Sequence, residues 1–530
     1  MEVSNSNDEK VYPLMDALTQ LRKDPALLTL IVLSLGLLVL KIVFIAMTGV
    51  VDDEALYYVW GQNLSLGYLD HEPMVAYINR LSTMIFGATP FGLRIGGILL
   101  WIAGSAVAYG FGKSLNNAAS GLLFLALVNL TPFFAGNAFV MTTDTPSLLF
   151  IFLTVWMYYL GLFKDKRYFY LAGIALGLAM LSRSSVAGVV FAIGIFMLIS
   201  HRRKEYLLSR EFWLSCLIAV AIYTPFLIWN AQNDWIFFRY ALGRQLVKAG
   251  GGFRGFFELW ISQLGLYFPA LFFSLACLVP WYTARGVLHA IKGTDDARER
   301  KFFLAIISFI PAIFILQKSL TVKVEANWPA FMWAGAAALL ALWLSERWRM
   351  PAKIAFLVNS VLAAILTALV LLHAIHPFLP VKPSVDVTRR YYTYQAFNGA
   401  LKDHYRTAMD TNVRIAGLNY QIPSMASFYL KPHKQPLCLD FGTYHATAYE
   451  FWFSDSSLIG ESMYLITGAG DAGNSNAASA RFKSMRYDGC FTSYRGKEAI
   501  TSFDVFYCTG YRGNGKTNTR WRPRHAHARH

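Results

Sequence analysis

Repeated apolar segments, each close to a membrane span in length, constrain this chain more than any other sequence feature. A helix that rises 1.5 Å per residue needs about twenty residues to cross a hydrocarbon core of about 30 Å. Because lipid offers no partner for an open sheet edge, the segments predict a mainly α, polytopic bundle of membrane helices. We expect about eleven spans, with thirteen as an upper bound: residues 27–47, 91–112, 116–135, 145–164, 168–183, 186–200, 212–230, 258–282, 302–317, 327–345 and 354–375.

Composition agrees with a membrane protein and bears on its partners. The sequence is 55% hydrophobic and 15% charged, and its mean hydropathy is +0.39. The net charge of +16 could suit nucleic acid, but most Lys and Arg residues lie in short connections between apolar segments and in the tail. We therefore predict membrane lipids with anionic headgroups as partners, and no nucleic acid.

Clusters of Lys and Arg predict which side of the membrane each connection faces. Basic residues follow the fourth, sixth and tenth segments, precede the ninth, and occur before the first. All of these connections share one side under a count of eleven, and the positive-inside rule makes that side cytoplasmic. The opposite side then holds residues 49–90, 231–257 and 318–326, Asp144, Arg183 and the C-terminal region.

The chain divides into four regions by composition. Residues 1–26 form a polar, cytoplasmic N-terminus, and residues 27–378 form the membrane region. Within the latter, the long first outer loop, 49–90, has an amphipathic second half that we expect to form interfacial helices. Residues 379–511 are more polar and contain alternating β-type runs, which predict a small α/β domain outside the cytoplasm. Residues 512–530 are basic and without acids, and we expect them to be disordered.

The first outer loop contains a concentration of acidic groups. Asp53 and Glu54 begin it, Tyr57 lies one helical turn later, and Asp70 and His71 follow beyond a glycine turn. Carboxylates at the mouth of a membrane helix indicate a functional site. Asp53 or Glu54 could deprotonate an acceptor hydroxyl, and the loop could bind a cation that neutralises a phosphate. Asp53, Asp70 and His71 are candidate ligands of a divalent cation, although their spacing matches no standard zinc pattern.

Asp144 opens the fourth segment and is followed by Pro146. An aspartate N-cap with a proline in the first turn is ordinary helix capping. The same residue lies on the outer side of the predicted bundle, where a carboxylate could take part in catalysis. The sequence leaves both roles open.

Basic residues on the outer side could bind the phosphate of a lipid. Arg183 separates two apolar segments, Arg244 lies in the loop 231–257, and Lys323 lies in the hairpin before Trp328. Each could equally be a solvated charge, and Lys323 could pair with Glu325 on the surface. A guanidinium or ammonium group at that depth would otherwise contact an anion below the aromatic belt. Together with the carboxylates, these groups predict an outer chamber that suits a phosphate-bearing lipid leaving group.

Several motifs resemble those of integral-membrane C-type glycosyltransferases. The matching stretches are residues 53–58, 67–73, 143–146, 177–183 and 327–330. Within this superfamily the chain is most similar to the lipid A aminoarabinose transferase, the lipid A/core galacturonosyltransferases and the protein O-mannosyltransferases. Tyr420 and the residues after it resemble the soluble tail of the galacturonosyltransferase branch.

The resemblance implies a function and gives roles to particular residues. It implies inverting transfer of a sugar from a polyprenyl-phosphate donor at the periplasmic face of the bacterial inner membrane, to lipid A, core oligosaccharide or another envelope glycolipid. Asp53 matches the catalytic Asp of the first loop, and Asp144 matches a second acidic site. Asp70 and His71 match a pair that binds donor phosphate or metal. Arg183 and Lys323 match basic residues near the lipid phosphate.

Two departures from the family pattern and two rival functions stay open. Glu72 occupies the first place of a usual Pro-Pro, and His71 replaces a permanent cation, so phosphate binding there would depend on pH. The first rival is a protein O-mannosyltransferase, which would accept a peptide. The second is a flippase or transporter of lipid-linked sugars that uses the same charged chamber without bond chemistry.

Overall fold

The computed structural model describes residues 13–137, 139–247, 252–290, 296–382, 385–407, 409–410, 412–439, 448–453, 455–469, 478–495 and 498–513. Most of the described chain is helical. In chain order the helices up to the end of the membrane region are α1 (Pro13–Lys23), α2 (Pro25–Met47), α3 (Asp52–Gln62), α4 (Met74–Phe86), α5 (Pro90–Leu115), α6 (Ala118–Leu130), α7 (Pro132–Gly136), α8 (Asp144–Phe163), α9 (Tyr168–Ser182), α10 (Ala187–Ile199), α11 (Arg203–Leu207), α12 (Arg210–Gln232), α13 (Ile236–Val247), α14 (Phe253–Phe273), α15 (Val279–Ala290), α16 (Asp296–Thr321), α17 (Trp333–Glu346) and α18 (Met350–Ile375).

Each of the eleven predicted spans coincides with a helical segment. Among the described residues, 8 helical segments are long and apolar enough to cross a membrane, and the shorter apolar segments Ala118–Leu130, Tyr168–Ser182 and Ser184–Ile199 match the other predictions. The predicted span 258–282 lies within one segment of 38 residues, in which a π-helical turn at Ser274–Leu278 joins α14 to α15. The prediction of a polytopic helical membrane protein is confirmed.

The two ends of the bundle differ in charge, as the basic clusters predicted. Helix α8 has 20 residues and therefore rises about 30 Å between Asp144 and the basic residues that follow it. The basic end is tied together by ion pairs between different connections, namely Lys166–Glu205, Arg202–Asp296, Lys301–Glu346 and Lys353–Asp24. The candidate site residues lie at the other end, where α8 begins.

Small residues let α16 and α17 pack closely at the centre of the bundle. Helix α17 carries a run of alanines that is buried on all sides. A Cβ at Gly335 would meet the Leu304 carbonyl oxygen at 2.3 Å, so only glycine allows this approach. The hydroxyl of Ser308 accepts a hydrogen bond from the Ala336 amide (2.7 Å). This packing fixes the helix that carries the inner wall of the site.

The first outer loop folds into α3 and α4, and its acids form the first turn of α3. Carboxylates are favourable there because they face the positive end of the helix dipole. Helix α4 exposes an apolar stripe that includes Leu81, Met84 and Ile85. This amphipathic helix agrees with the predicted position at the membrane interface.

A mixed sheet follows the last span and α19 (Arg389–Thr407). Its strands are β1 (Arg414–Gly417), β2 (Leu437–Cys438), β3 (Met463–Gly468), β4 (Ser484–Arg495) and β5 (Glu498–Thr509), and helix α20 (Gln421–Tyr429) lies between β1 and β2. The order across the sheet is β2-β1-β3-β5-β4, with β1 parallel to β2 and β3 and the other pairs antiparallel. The predicted boundary near residue 378 falls between α18 and α19, and residues from 514 onward lie outside the described part of the chain.

The C-terminal region shares one hydrophobic core with the first outer loop. Leu56 and Tyr58 of α3 belong to the same buried cluster as Phe397 of α19 and Met425 and Phe428 of α20. The soluble region is therefore packed directly on the helix that carries the acidic motif, and it can contribute side chains to the site.

Candidate active site

Glu54 is held in a fully buried ion pair with Arg94. Both side chains have 0% exposure, and the guanidinium donates from Nε to Oε1 (2.7 Å) and from Nη2 to Oε2 (2.6 Å). Arg94 also donates to Thr48 and to the Gly49 carbonyl. Glu54 therefore joins the end of α2 to α3 and α5 and has no access to solvent. The expected catalytic role of Glu54 does not fit this geometry, because both of its carboxylate oxygens are buried and paired with Arg94.

Asp53 points to the other side of α3 and is 34% exposed. The Tyr420 hydroxyl donates to its Oδ1 (2.8 Å), and Arg390 Nη2 donates to its Oδ2 (2.8 Å). Arg390 also donates to Asp52, whose carboxylate accepts from the Tyr394 hydroxyl (3.1 Å). Residues of the C-terminal region thus fix the orientation of the carboxylate expected to be the base.

Tyr57 connects Asp53 to the rest of the site. Its ring is buried and lies edge-on to His71, with 6.2 Å between ring centroids. Burial raises the pKa of the Tyr57 phenol, and the charges of Asp53 and Asp70 add to this effect, whereas Arg183 opposes it. The phenol therefore stays protonated and lies within electrostatic reach of both acids and of Arg183. The first loop and the connection after α9 meet around this ring.

A large apolar chamber lies beside this ring, with a volume of about 860 Å³. Its walls come from α10, α13 and α16, and include Phe191, Tyr240 and Phe314. Phe191 and Phe314 are exposed on membrane helices. An apolar cavity of this size between membrane helices can admit a lipid tail.

Charged groups gather at one end of the chamber. Arg183, which caps α9, lines the wall and forms an ion pair with Asp144. Asn327 donates to the other carboxylate oxygen of Asp144 (2.7 Å). Glu72 accepts a hydrogen bond from the Ser184 amide, and burial raises its pKa. Thr143 is the N-cap of α8 and Asp144 is its first residue, and the partners of the Asp144 carboxylate are Arg183 and Asn327.

Lys318, and not Lys323, is the lysine at the chamber. Lys318 lines the cavity with its Nζ 5.3 Å from the centroid of the Trp328 ring. Lys323 is exposed and is not among the residues that line the chamber. The placement expected for Lys323 is therefore wrong, because α16 extends to Thr321 and carries Lys318 on its chamber face. Arg244 belongs to α13, but its side chain lies outside the described part of the structure.

Asp70 and His71 line the chamber next to Glu72, and their expected role near a donor phosphate stays a prediction. Within the described ranges, however, no group of three or more His, Cys, Asp or Glu side chains is arranged to hold a metal ion. Asp53, Asp70 and His71 therefore form no such group. A divalent cation stays a prediction of the sequence, and no step below uses one.

Parts of this chain are similar in sequence to known proteins. A family model described as "Dolichyl-phosphate-mannose-protein mannosyltransferase" matches residues 70–229. The lipid A galacturonosyltransferase RgtD of Rhizobium johnstonii is 26% identical over 354 residues, which cover 65% of this chain and 70% of RgtD. An uncharacterized protein of Aquifex aeolicus is 25% identical over 276 residues, 49% of this chain and 51% of that protein.

Solved structures of ArnT from Cupriavidus metallidurans have the same fold. The apo structure has a TM-score of 0.54 and is 14% identical, covering 91% of this chain and 98% of that chain. The structure of ArnT bound to undecaprenyl phosphate has a TM-score of 0.56 at 14% identity, covering 90% of this chain and 97% of that chain. The resemblance to C-type integral-membrane glycosyltransferases that the motifs predicted is confirmed.

Proposed function

We propose that this chain, which has the fold of the C-type integral-membrane glycosyltransferases, transfers a sugar from a polyprenyl-phosphate donor to an envelope glycolipid. The acceptor class is lipid A, lipid A with core sugars, or a related glycolipid, and galacturonic acid is the sugar that we test first. The reaction takes place at the end of the bundle opposite the basic clusters, which corresponds to the periplasmic face of the inner membrane. The similarity to RgtD supports both the acceptor and the sugar.

One observation carries the proposal: the cations Arg183 and Lys318 both line a large apolar chamber between membrane helices. A polyprenyl phosphate combines a long apolar tail with a single anionic head, and this cavity matches both parts. A guanidinium binds phosphate oxygens through two N–H donors, and a nearby ammonium adds a point charge. ArnT, whose fold the chain shares, has been solved with undecaprenyl phosphate.

The chamber residues, together with Asp53 of helix α3, support an inverting displacement. Asp53 removes the proton from the acceptor hydroxyl, and the resulting oxygen attacks the anomeric carbon of the donor sugar. The bond between that carbon and the phosphate oxygen breaks, and polyprenyl phosphate leaves with the bonding electrons. Arg183 and Lys318 stabilise the charge that develops on the phosphate. Arg390 and Tyr420 act as positioning residues, because they hold both oxygens of Asp53.

A protein O-mannosyltransferase activity is the second candidate, because the family model that matches residues 70–229 bears that description. The two functions share the donor chamber and differ in the acceptor. Purified protein in liposomes, supplied with one polyprenyl-phosphate sugar and either lipid A or a Ser/Thr-rich peptide, separates them. Transfer to the peptide with no transfer to the lipid would replace our proposal with the second candidate.

Substitution of the proposed base tests the mechanism. We expect Asp53→Asn to lower transfer about 10²- to 10⁴-fold, the usual contribution of a positioned acid–base group. Undecaprenyl phosphate binding should persist, because Arg183 and Lys318 are unchanged. The matched control is Asp165→Asn, an exposed acid at the opposite end of the bundle, which should leave transfer intact. Near-normal transfer by a folded Asp53→Asn protein would refute the base assignment.

A further inference from the structure

A second cavity, which the proposed reaction does not use, lies on the outer side of the first loop. Its volume is about 410 Å³, within the range of about 300–1,000 Å³ typical of small-molecule sites. It is formed by three separate parts of the chain: the connection after α3, the end of α12 and the turn near residue 450. We refer to it as the aromatic cleft, and its main lining residues are Asn63, Ser65, Tyr68, Trp229, Phe451 and Trp452.

Aromatic rings in this cleft form a platform rather than a closed core. The rings of Trp229 and Phe451 lie with centroids 5.9 Å apart and planes inclined at 46°, and Phe451 is 42% exposed. Trp452 packs on Tyr449 with 4.9 Å between centroids and keeps part of its surface open to the cleft. The apolar faces of sugar rings stack on indole and phenyl rings, while their hydroxyl groups need hydrogen-bond partners nearby.

Two polar residues of the first loop, Asn63 and Ser65, line the cleft. The Asn63 amide donates to the Val59 carbonyl (2.9 Å) and the Ser65 carbonyl accepts from the Tyr77 hydroxyl (2.8 Å). An amide group and a carbonyl oxygen can each form more than one hydrogen bond. Gly67 brings the loop backbone against Trp229: a Cβ at this position would lie 2.5 Å from the indole ring. The cleft therefore combines aromatic rings with polar loop groups, the combination that recognises a saccharide rather than an acyl chain.

The position of the cleft relates it to the donor chamber. Gly67 and Tyr68 line the cleft, whereas Asp70 and His71 line the chamber. Residues 67–71 therefore form a wall with one cavity on each side. A ligand in the cleft is separated from the donor phosphate site by this short segment, which packs through Tyr68 on Trp60 (4.5 Å between centroids).

We infer that the aromatic cleft binds the saccharide head of the acceptor glycolipid. The inference rests on the proposed function, and it adds where the acceptor sugars are held. Leu64 and Leu66 are 54% and 46% exposed beside the cleft, and α4 exposes its apolar stripe to the interface. An acceptor could therefore leave its acyl chains in the outer leaflet while its sugars reach the rings.

Binding measurements test the inference without requiring turnover. The full-length protein in nanodiscs is titrated with a lipid A that carries a short core saccharide, and in a separate series with undecaprenyl phosphate. We expect Trp452→Ala to weaken binding of the glycolipid about tenfold, as expected for losing one stacked ring, and to leave undecaprenyl phosphate binding unchanged. Trp452→Phe, which keeps a ring, should restore most of the glycolipid affinity.

Controls separate this inference from the proposed function. Tyr487→Ala removes an exposed ring from β4 and should change neither the glycolipid affinity nor the undecaprenyl phosphate affinity. Phe451→Ala provides a second cleft variant in case Trp452→Ala is unstable. Equal glycolipid affinity in both cleft variants and the wild type would overturn the inference, as would stronger binding of a Ser/Thr-rich peptide that competes at the cleft. If the chamber does not bind the donor lipid, the wild type itself will show no binding of undecaprenyl phosphate, which distinguishes failure of the proposed function from failure of this inference.

Discussion

The buried pair between Glu54 and Arg94 gives the sharpest test of the geometry. Sequence motifs place Glu54 beside the proposed base, whereas the structure makes it a structural residue. Replacing Glu54 by Gln removes the charge and leaves the side-chain shape nearly unchanged. We therefore expect Glu54→Gln to lower the free energy of unfolding. Any loss of sugar transfer should be proportional to the loss of folded protein.

The expected magnitude follows from the complete burial of both partners. Removing one member of a buried ion pair leaves an uncompensated charge, which costs about 3–5 kcal/mol. Arg94 would keep its hydrogen bonds to Thr48 and Gly49, which argues for the lower end of that range. Replacing both partners by apolar residues, as in Glu54→Leu with Arg94→Met, should cost less than the sum of the single changes, since no charge stays buried alone.

Thermal unfolding in detergent measures this effect, with the monomer peak in size-exclusion chromatography as the readout. The matched control is Glu258→Gln, because Glu258 pairs with Arg254 at the surface, where the side chains are 55% and 90% exposed. Such pairs contribute about 0–1 kcal/mol, so Glu258→Gln should melt close to the wild type. A Glu54→Gln protein that melts like the wild type yet loses transfer would refute the structural assignment and return Glu54 to the reaction.

Three further changes address other parts of the site. Arg390→Met should lower kcat while donor-lipid affinity holds, because Arg390 orients Asp53 and does not line the chamber; a change in donor affinity alone would contradict this. Lys318→Ala should weaken undecaprenyl phosphate binding about tenfold, whereas Lys323→Ala should change it by less than about twofold; the reverse order would restore the sequence-based placement. Burial raises the pKa of Glu72 above its ordinary 4.5, so its contribution to stability is present at low pH and is lost as the pH rises through the raised value. Melting curves of Glu72→Gln should therefore show a smaller decline as the pH rises above 4.5, and an unchanged decline would exclude this carboxyl as the cause.

The membrane architecture could be predicted from the sequence because each span is a local signal. Hydropathy and length identify a segment without knowledge of its neighbours, and each predicted span matches a helical segment in the described structure. The orientation inferred from basic residues in short connections stays a prediction. The amphipathic second half of the first loop likewise carried its own periodicity, which is why α4 was expected.

The partners of the acidic motif could not be predicted in the same way. Arg390 and Tyr420 reach Asp53 across 337 and 367 residues, and no spacing rule links positions so far apart. Arg94 was hidden inside an apolar span, although a lone Arg there is itself a signal of a buried partner. The choice between Lys318 and Lys323 depended on where α16 ends, and helix ends are the least certain part of a sequence-based prediction.

The ion pair between Arg183 and Asp144 means that the guanidinium already has a counter-ion before any ligand binds. A lipid phosphate that enters must compete with a resident carboxylate for the same guanidinium, so part of its attraction is cancelled by the bond it displaces. After transfer, Asp144 can pair with Arg183 again, which favours dissociation of the polyprenyl phosphate product. We therefore expect only a moderate affinity for the polyprenyl phosphate product, which favours product release and repeated turnover.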